Sequence, residues 1–122
     1  MNFMEAIKSG FANYANFSGR AQRSAFWYWI LFAFLVGIVA NILDWAIFGA
    51  DSVSPLSLIL GLALLIPDLS VGARRLHDIG RSGWWQLLHF VPLIGLIILI
   101  VWYCKRGEPG PNQHGPNPLG MM

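Results

Sequence analysis

Three long apolar runs, separated by polar segments, dominate the pattern of this chain. Each has about the twenty residues that a helix rising about 1.5 Å per residue needs to cross a bilayer core. We predict transmembrane helices over residues 24–48, 55–73 and 84–103. The second run contains Pro67 and Asp68. Its ten Leu, Ile and Val residues favour insertion by more than the acid opposes it.

The segment before the first run has a different period. At 100° per residue, one arc of residues 2–17 is apolar and the opposite arc is polar. The apolar arc consists of Phe3, Ile7, Gly10, Phe11, Tyr14 and Phe17. An amphipathic helix beside a transmembrane segment is typical of one lying along the bilayer interface. The same arc would equally serve a helix packed on the protein's own spans.

The last sixteen residues, 107–122, are rich in Pro, Gly and Asn, and we predict an irregular tail there. Whether this tail packs against the protein is left open by the sequence. Residues 1–120 leave room for a single domain. The fold class predicted is an all-α membrane protein, with three spans, an N-terminal interfacial helix and an irregular tail.

Composition supports a membrane protein, because 56% of the 122 residues are hydrophobic and only 11% are charged. A soluble domain carries about 25% charged residues. The first apolar run is too long for the core of a signal peptide, so we expect it to remain as a helix. The single cysteine, Cys104, excludes an intrachain disulfide.

Basic residues are distributed unevenly around the three predicted spans. Six of them lie before the first span or between the second and third, namely Lys8, Arg20, Arg23, Arg74, Arg75 and Arg81. Only Lys105 and Arg106 follow the third span. The positive-inside rule then predicts a multi-pass protein with a cytoplasmic N-terminus, residues 74–83 also in the cytoplasm, and the tail on the opposite side.

This topology gathers five arginines on one membrane face: Arg20, Arg23, Arg74, Arg75 and Arg81. Helices are predicted to begin near Ser24 and Ser82 on that face, and helix N-termini attract anions. We expect Arg81, Ser82 and Gly83 to form a cradle for the head group of an anionic phospholipid. The alternative is that these arginines serve only to orient the protein.

Polar residues within the predicted spans suggest a second candidate site. Asp68 and His89 fall at similar depth, so we predict that Asp68 meets His89, or Arg75, between helices. A polar pair that merely fixes helix packing is the alternative. Arg74 and Asp78 are four residues apart and can pair on a continued helix.

Other classes of function find little support in the sequence. Neither a nucleophile elbow nor an H-E-x-x-H pair is present, so we expect no enzyme. The histidines His77, His89 and His114 lack metal-ligand spacing, and we expect neither a metal nor another cofactor. The basic residues lie flat at a membrane, which argues against nucleic-acid binding.

Three motifs in order resemble a family of small bacterial inner-membrane proteins known as domain of unknown function 805. The first covers residues 17–23 and continues with Phe26 and Trp27, and the second covers residues 74–85. The third consists of Gly107, Gly110, Asn112, Gly115, Pro116 and Pro118. Ala25 departs from the family pattern, which often has an acid there. The resemblance implies a location in the bacterial inner membrane and brings no activity.

Taken together, the leading hypothesis is a membrane-embedded binding or interaction module. Its cytoplasmic arginine face would engage anionic lipid or the acidic segment of a protein partner. The alternative is a small transporter or channel that uses Asp68 and His89. Three spans are too few to enclose a pathway, so this alternative requires a homo-oligomer.

Overall fold

The computed structural model describes residues 2–51 and 53–119, and their regular structure is helical. The elements in chain order are α1 (Phe3–Ala12), α2 (Arg23–Phe48), α3 (Pro55–Asp78), a 3₁₀ helix (Gly83–Phe90) and α4 (Ile94–Cys104). An isolated bridge in the tail is the only β-type pairing among the described residues. The predicted all-helical class is therefore confirmed.

Helix α1 begins with a capping box in which Asn2 and Glu5 each bond to the other's backbone N–H. It ends at Ala12, five residues before the predicted end, because Asn13 caps the Ser9 carbonyl with both its backbone and its side chain. Its buried face lies against α2, where Gly10 allows the ring of Trp29 to approach closely. These contacts match the interpretation of a helix packed on the protein's own spans.

Helices α2 and α3, with 26 and 24 residues, are long and apolar enough to cross a membrane. Asp44 joins them at one end, because its carboxylate accepts hydrogen bonds from the backbone N–H of Leu56 (2.9 Å) and of Ser57 (2.8 Å). A carboxylate satisfies the free N–H groups and the positive dipole of a helix start. Helix α3 begins at Pro55 as predicted, but it continues five residues beyond residue 73.

The third predicted span, residues 84–103, is not one continuous helix in the structure. The structure has a 3₁₀ helix of 8 residues, a break, and then α4 with 11 residues. Pro92 explains the break, because proline lacks an N–H and drives the residue before it out of helical conformation. Val91 is accordingly extended, and Leu93 has a φ of 65°. Eleven residues rise only about 16 Å, which is too short to cross a bilayer.

The 3₁₀ helix and α4 fold back on each other as a hairpin, which we call the C-terminal hairpin (residues 83–104). The rings of Trp85 and Trp102 lie 5.5 Å apart, and the Arg81 guanidinium lies 4.1 Å from the Trp102 ring. A continuous segment would separate Trp85 from Trp102 by more than about 20 Å. The chain therefore returns to the end of the bundle from which the hairpin starts.

The tail consequently lies where α2 begins and α3 ends. The Glu108 N–H donates to the Asp78 carbonyl at 2.7 Å, and Arg20 contacts the same segment. The predicted placement of the tail on the opposite side is thus wrong. Lys105 and Arg106 therefore lie at the same end of the protein as the arginines of the loop before α2 and of the end of α3. We call this end the basic end; its basic residues are Arg20, Arg23, Arg74, Arg75, Arg81, Lys105 and Arg106. The loop at the other end, residues 49–54, contains one acid and no basic residue.

This arrangement predicts the labelling of Cys104, which is exposed at the end of α4. A membrane-impermeant maleimide should label Cys104 from the same side as a cysteine introduced by Ser18→Cys in a Cys104→Ser background. A cysteine introduced by Ala50→Cys in that background should be labelled only from the other side. Labelling of Cys104 and Ala50→Cys from one side would contradict the hairpin.

Candidate functional site

A buried cluster of charges occupies the basic end. The Asp78 carboxylate accepts hydrogen bonds from Arg20 Nε at 2.9 Å and from Arg75 Nη1 at 2.7 Å. The side chains of both arginines are fully buried. The sequence had suggested that Asp78 pairs with Arg74. In the structure, Asp78 pairs with Arg20 and Arg75 instead. Arg74 lies about 100° around the helix from Arg75, so the two side chains leave α3 in different directions.

The remaining donors of the two arginines hold the C-terminal part of the chain. Arg20 donates to the carbonyl oxygens of Glu108 (2.6 Å) and Gly110 (2.7 Å). Arg75 donates to the carbonyl oxygens of Tyr103 (3.0 Å) and Lys105. A guanidinium has five N–H donors in a fixed plane, which allows one side chain to bind several carbonyls. We call Arg20, Arg75 and Asp78 the arginine clamp.

The predicted arginine face for lipid is corrected by this geometry. Arg20, Arg74 and Arg75 are buried and cannot meet a head group at the surface. Arg74 is 5% exposed, and its Nε and Nη2 atoms have no hydrogen-bond partner among the described residues. Arg23 is exposed and donates to the Cys104 carbonyl at 3.3 Å, while Arg81 covers the ring of Trp102.

The predicted contact of Asp68 with His89 or Arg75 is also absent. Asp68 accepts a hydrogen bond from Trp29 Nε1 at 2.7 Å, toward α2. His89 Nδ1 lies 2.8 Å from the carbonyl oxygen of Gln86 in its own 3₁₀ helix. The prediction placed His89 on a third span at the same depth as Asp68. Because the chain folds back as a hairpin, the two side chains do not meet.

A cavity of about 700 Å³ separates α3 from the 3₁₀ helix. Its α3 wall is a stripe of residues spaced by four: Leu65, Leu69, Ala73 and His77. Its other wall comes from the C-terminal hairpin, through Ser82, Gly83, Trp84, Gln86, Leu87, His89 and Phe90, and Phe17 closes one edge. None of these lining residues carries a carboxylate, a lysine or an arginine.

One end of this cavity is polar and lies near the basic end. His77 Nδ1 lies 2.9 Å from the Gly19 carbonyl oxygen, and the His77 ring stacks on His114 with a centroid distance of 3.9 Å. The tail residue Asn112 donates to the His77 carbonyl at 2.9 Å. The loop before α2 and the tail therefore both fix the position of His77.

Ser82 and Gly83, predicted as part of an anion cradle, form the start of the 3₁₀ helix beside His77. The Ser82 hydroxyl accepts from the Trp84 N–H at 3.3 Å, which confirms Ser82 as a helix cap. Gly83 permits close packing, because a Cβ there would lie 2.8 Å from the Cβ of Ala73. Both residues line the cavity.

Sequence reasoning considered His77 and His114 only as metal ligands and missed their contact. Gln86 also lines the cavity, and its side chain donates to the Leu69 carbonyl at 3.1 Å. The spacing of four between Leu65, Leu69, Ala73 and His77 is a signal that could have identified one wall of the cavity. The opposite wall depends on the hairpin. In the sequence, Pro92 marks the point where the helix breaks, but nothing there shows that the chain turns back.

The arginine clamp predicts the effect of Asp78→Asn. Loss of the carboxylate leaves two buried cations unpaired, which costs about 3–5 kcal/mol in free energy of unfolding. We expect a lower melting temperature in detergent and faster trypsin cleavage after Lys105 and Arg106. Asp51→Asn, in the loop at the other end, is the matched control and should change neither. Unchanged melting and proteolysis of Asp78→Asn would contradict the clamp.

Comparisons with known proteins confirm the family resemblance that the sequence motifs indicated. The inner membrane protein YhaH of Escherichia coli strain K12 is 42% identical over 110 residues, covering 87% of this chain and 89% of the relative. The inner membrane protein YhaI of the same strain is 41% identical over 115 residues, covering 94% and 96%. No solved structure matches the chain. A model of the family described as protein of unknown function, DUF805, matches residues 14–116. The chain therefore belongs to the DUF805 family, whose named relatives here are inner membrane proteins.

Proposed function

We propose that this inner-membrane protein is a lipid-binding module that takes a lipid acyl chain into the cavity between α3 and the 3₁₀ helix. The observation that carries the proposal is the composition of this cavity along its length. Leu65, Leu69, Leu87 and Phe90 supply apolar walls, while His77 and Ser82 form a polar end. Ligand sites are typically apolar clefts with a few convergent polar groups, and this cavity has a suitable volume.

The position of the cavity supports a ligand that arrives from the bilayer. Its α3 wall belongs to a helix that is long and apolar enough to span. Several lining side chains are open to the surroundings, with Phe90 83% exposed and Leu87 55% exposed. When α3 spans the membrane, exposed apolar side chains beside it face lipid. An acyl chain can then enter the cavity from the side without crossing water.

The charge of the basic end favours an anionic head group near the polar end of the cavity. Arg23 and Lys105 are exposed there, and Arg81 directly precedes Ser82. Basic residues near a membrane surface attract anionic lipid by about 1 kcal/mol each. We propose that the basic end is cytoplasmic, since the hairpin brings all the arginines to it and the positive-inside rule then applies without exception.

Binding, and not transport or catalysis, is the role that the contacts favour. Asp68 and His89 have separate partners, so the polar pair on which a channel was based is not assembled. At the polar end of the cavity, His77 and Ser82 supply an imidazole and a hydroxyl, which suit hydrogen bonding to a head group.

Cavity-filling substitutions test the proposal. Leu65→Trp and Leu87→Trp fill the cavity from opposite walls, so each should lower lipid retention in native mass spectrometry by about tenfold, equivalent to about 1.4 kcal/mol of binding free energy. Leu62→Trp is the matched control, because Leu62 lies on α3, is 61% exposed and does not line the cavity. Equal lipid retention by all three variants and the unmodified protein would refute the lipid site.

A further inference from the structure

We propose that His77 selects lipids whose head group carries a hydrogen-bond donor, either a hydroxyl or an ammonium N–H. This inference rests on the proposed lipid site and specifies the chemistry of its ligand. It follows from the hydrogen-bond state of the His77 ring, from the groups that hold the ring, and from the lining residues around it.

The Gly19 carbonyl fixes the proton on the His77 ring. A carbonyl oxygen can only accept, so at 2.9 Å the Nδ1 atom of His77 must carry the hydrogen. In the neutral imidazole, the other nitrogen is then an acceptor. Nε2 has no hydrogen-bond partner among the described residues, and it lies 3.6 Å from the position that a Cβ on Gly83 would occupy. A free acceptor thus faces the cavity beside Gly83.

The ring is held in this orientation by contacts on several sides. His114 stacks on it with an angle of 3° between the planes, and Asn112 fixes its backbone carbonyl. A flip of the ring would break the hydrogen bond to Gly19, and a tilt of its plane would lose the stacking on His114. The acceptor is therefore pre-organised before any ligand arrives, which lowers the entropic cost of binding.

The neighbouring lining residues favour a head group with a donor. Ser82 offers a hydroxyl beside Gly83, so an acceptor and a hydroxyl stand at one end of the cavity. His89, the other lining imidazole, is seven residues after Ser82, which is about 14 Å along a 3₁₀ helix. Without a lining carboxylate to attract cationic groups in general, His77 Nε2 distinguishes a head group by its N–H or O–H. A quaternary ammonium offers neither.

A methylation series of one lipid tests this inference with the unmodified full-length protein. Nanodiscs would contain phosphatidylethanolamine, its N-monomethyl and N,N-dimethyl derivatives, or phosphatidylcholine, all with the same acyl chains. The first three keep at least one N–H, while the last has none. We expect similar retention of the first three lipids and a drop of about tenfold at phosphatidylcholine. Phosphatidylglycerol, with hydroxyl donors, should be retained at least as well as phosphatidylethanolamine.

Two variants assign the discrimination to His77. His77→Phe keeps an aromatic ring for stacking on residue 114 but removes Nε2, so the drop at phosphatidylcholine should disappear. His114→Phe also keeps the stacked pair and leaves Nε2 in place, so the drop should persist. A wild-type protein without the drop, or a His77→Phe variant that retains it, would overturn the inference.

The outcomes also separate this inference from the proposed function. If Leu65→Trp lowers retention of every lipid and wild type shows no step in the series, the lipid site stands and the role of His77 fails. If Leu65→Trp and Leu87→Trp leave retention of every lipid unchanged, the lipid site itself fails, and any step in the series arises elsewhere on the protein.

Discussion

The structure depends on one buried carboxylate, that of Asp78, and on the two guanidiniums that neutralise it. Burying a charge is costly unless its partners and hydrogen bonds are in place. Arg20 comes from the loop before α2, Arg75 and Asp78 from the end of α3, and the accepting carbonyls from the end of α4 and the tail. Departure of the loop before α2 or the end of α3 would break a buried ion pair, and departure of α4 or the tail would leave buried guanidinium N–H groups without acceptors.

A second carboxylate has the corresponding role at the opposite end. Asp44 is 2% exposed and closes the α2–α3 hairpin by capping the start of α3. Between the two ends, Trp29 is fully buried where α1, α2 and α3 meet, and it bonds to Asp68. The bundle therefore has a polar fastening at each end and one in its middle. On the side of α3 that faces the cavity, the hydrogen bond from the Gln86 side chain to the Leu69 carbonyl joins the hairpin to α3.

Sequence patterns predicted the elements whose determinants are local. The apolar runs placed α2 and α3, including the start of α3 at residue 55, and the composition of the tail indicated irregular structure. The prediction of one continuous helix over the third apolar run failed, because hydropathy gives the length of an apolar segment but not the direction in which the chain runs. Pro92 interrupts this apolar segment, but a proline alone does not give the direction in which the chain continues; the contact of Trp85 with Trp102 shows that it turns back.

The arginines illustrate a different limit of sequence reasoning. The predicted topology grouped Arg20, Arg74 and Arg75 at one end of the protein, and the structure also places them together, because this grouping follows from the order of whole segments. That topology could not reveal that these side chains are buried, since burial depends on partners that lie far away in sequence. Arg20 and Glu108 are 88 residues apart, and no pattern within either motif connects them.

The C-terminal hairpin has a consequence for how the chain enters a membrane. In the proposed orientation, with the basic end in the cytoplasm, the loop of residues 49–54 between α2 and α3 is a hydrophilic segment that must be translocated, and its sequence contains one charged side chain, Asp51. A third crossing would have required moving Lys105, Arg106 and the whole polar tail through the hydrocarbon, where each cation is costly. In that proposed orientation, the turn at Pro92 reduces the work of insertion to one short acidic loop and leaves the tail on the cytoplasmic side, where it was synthesised.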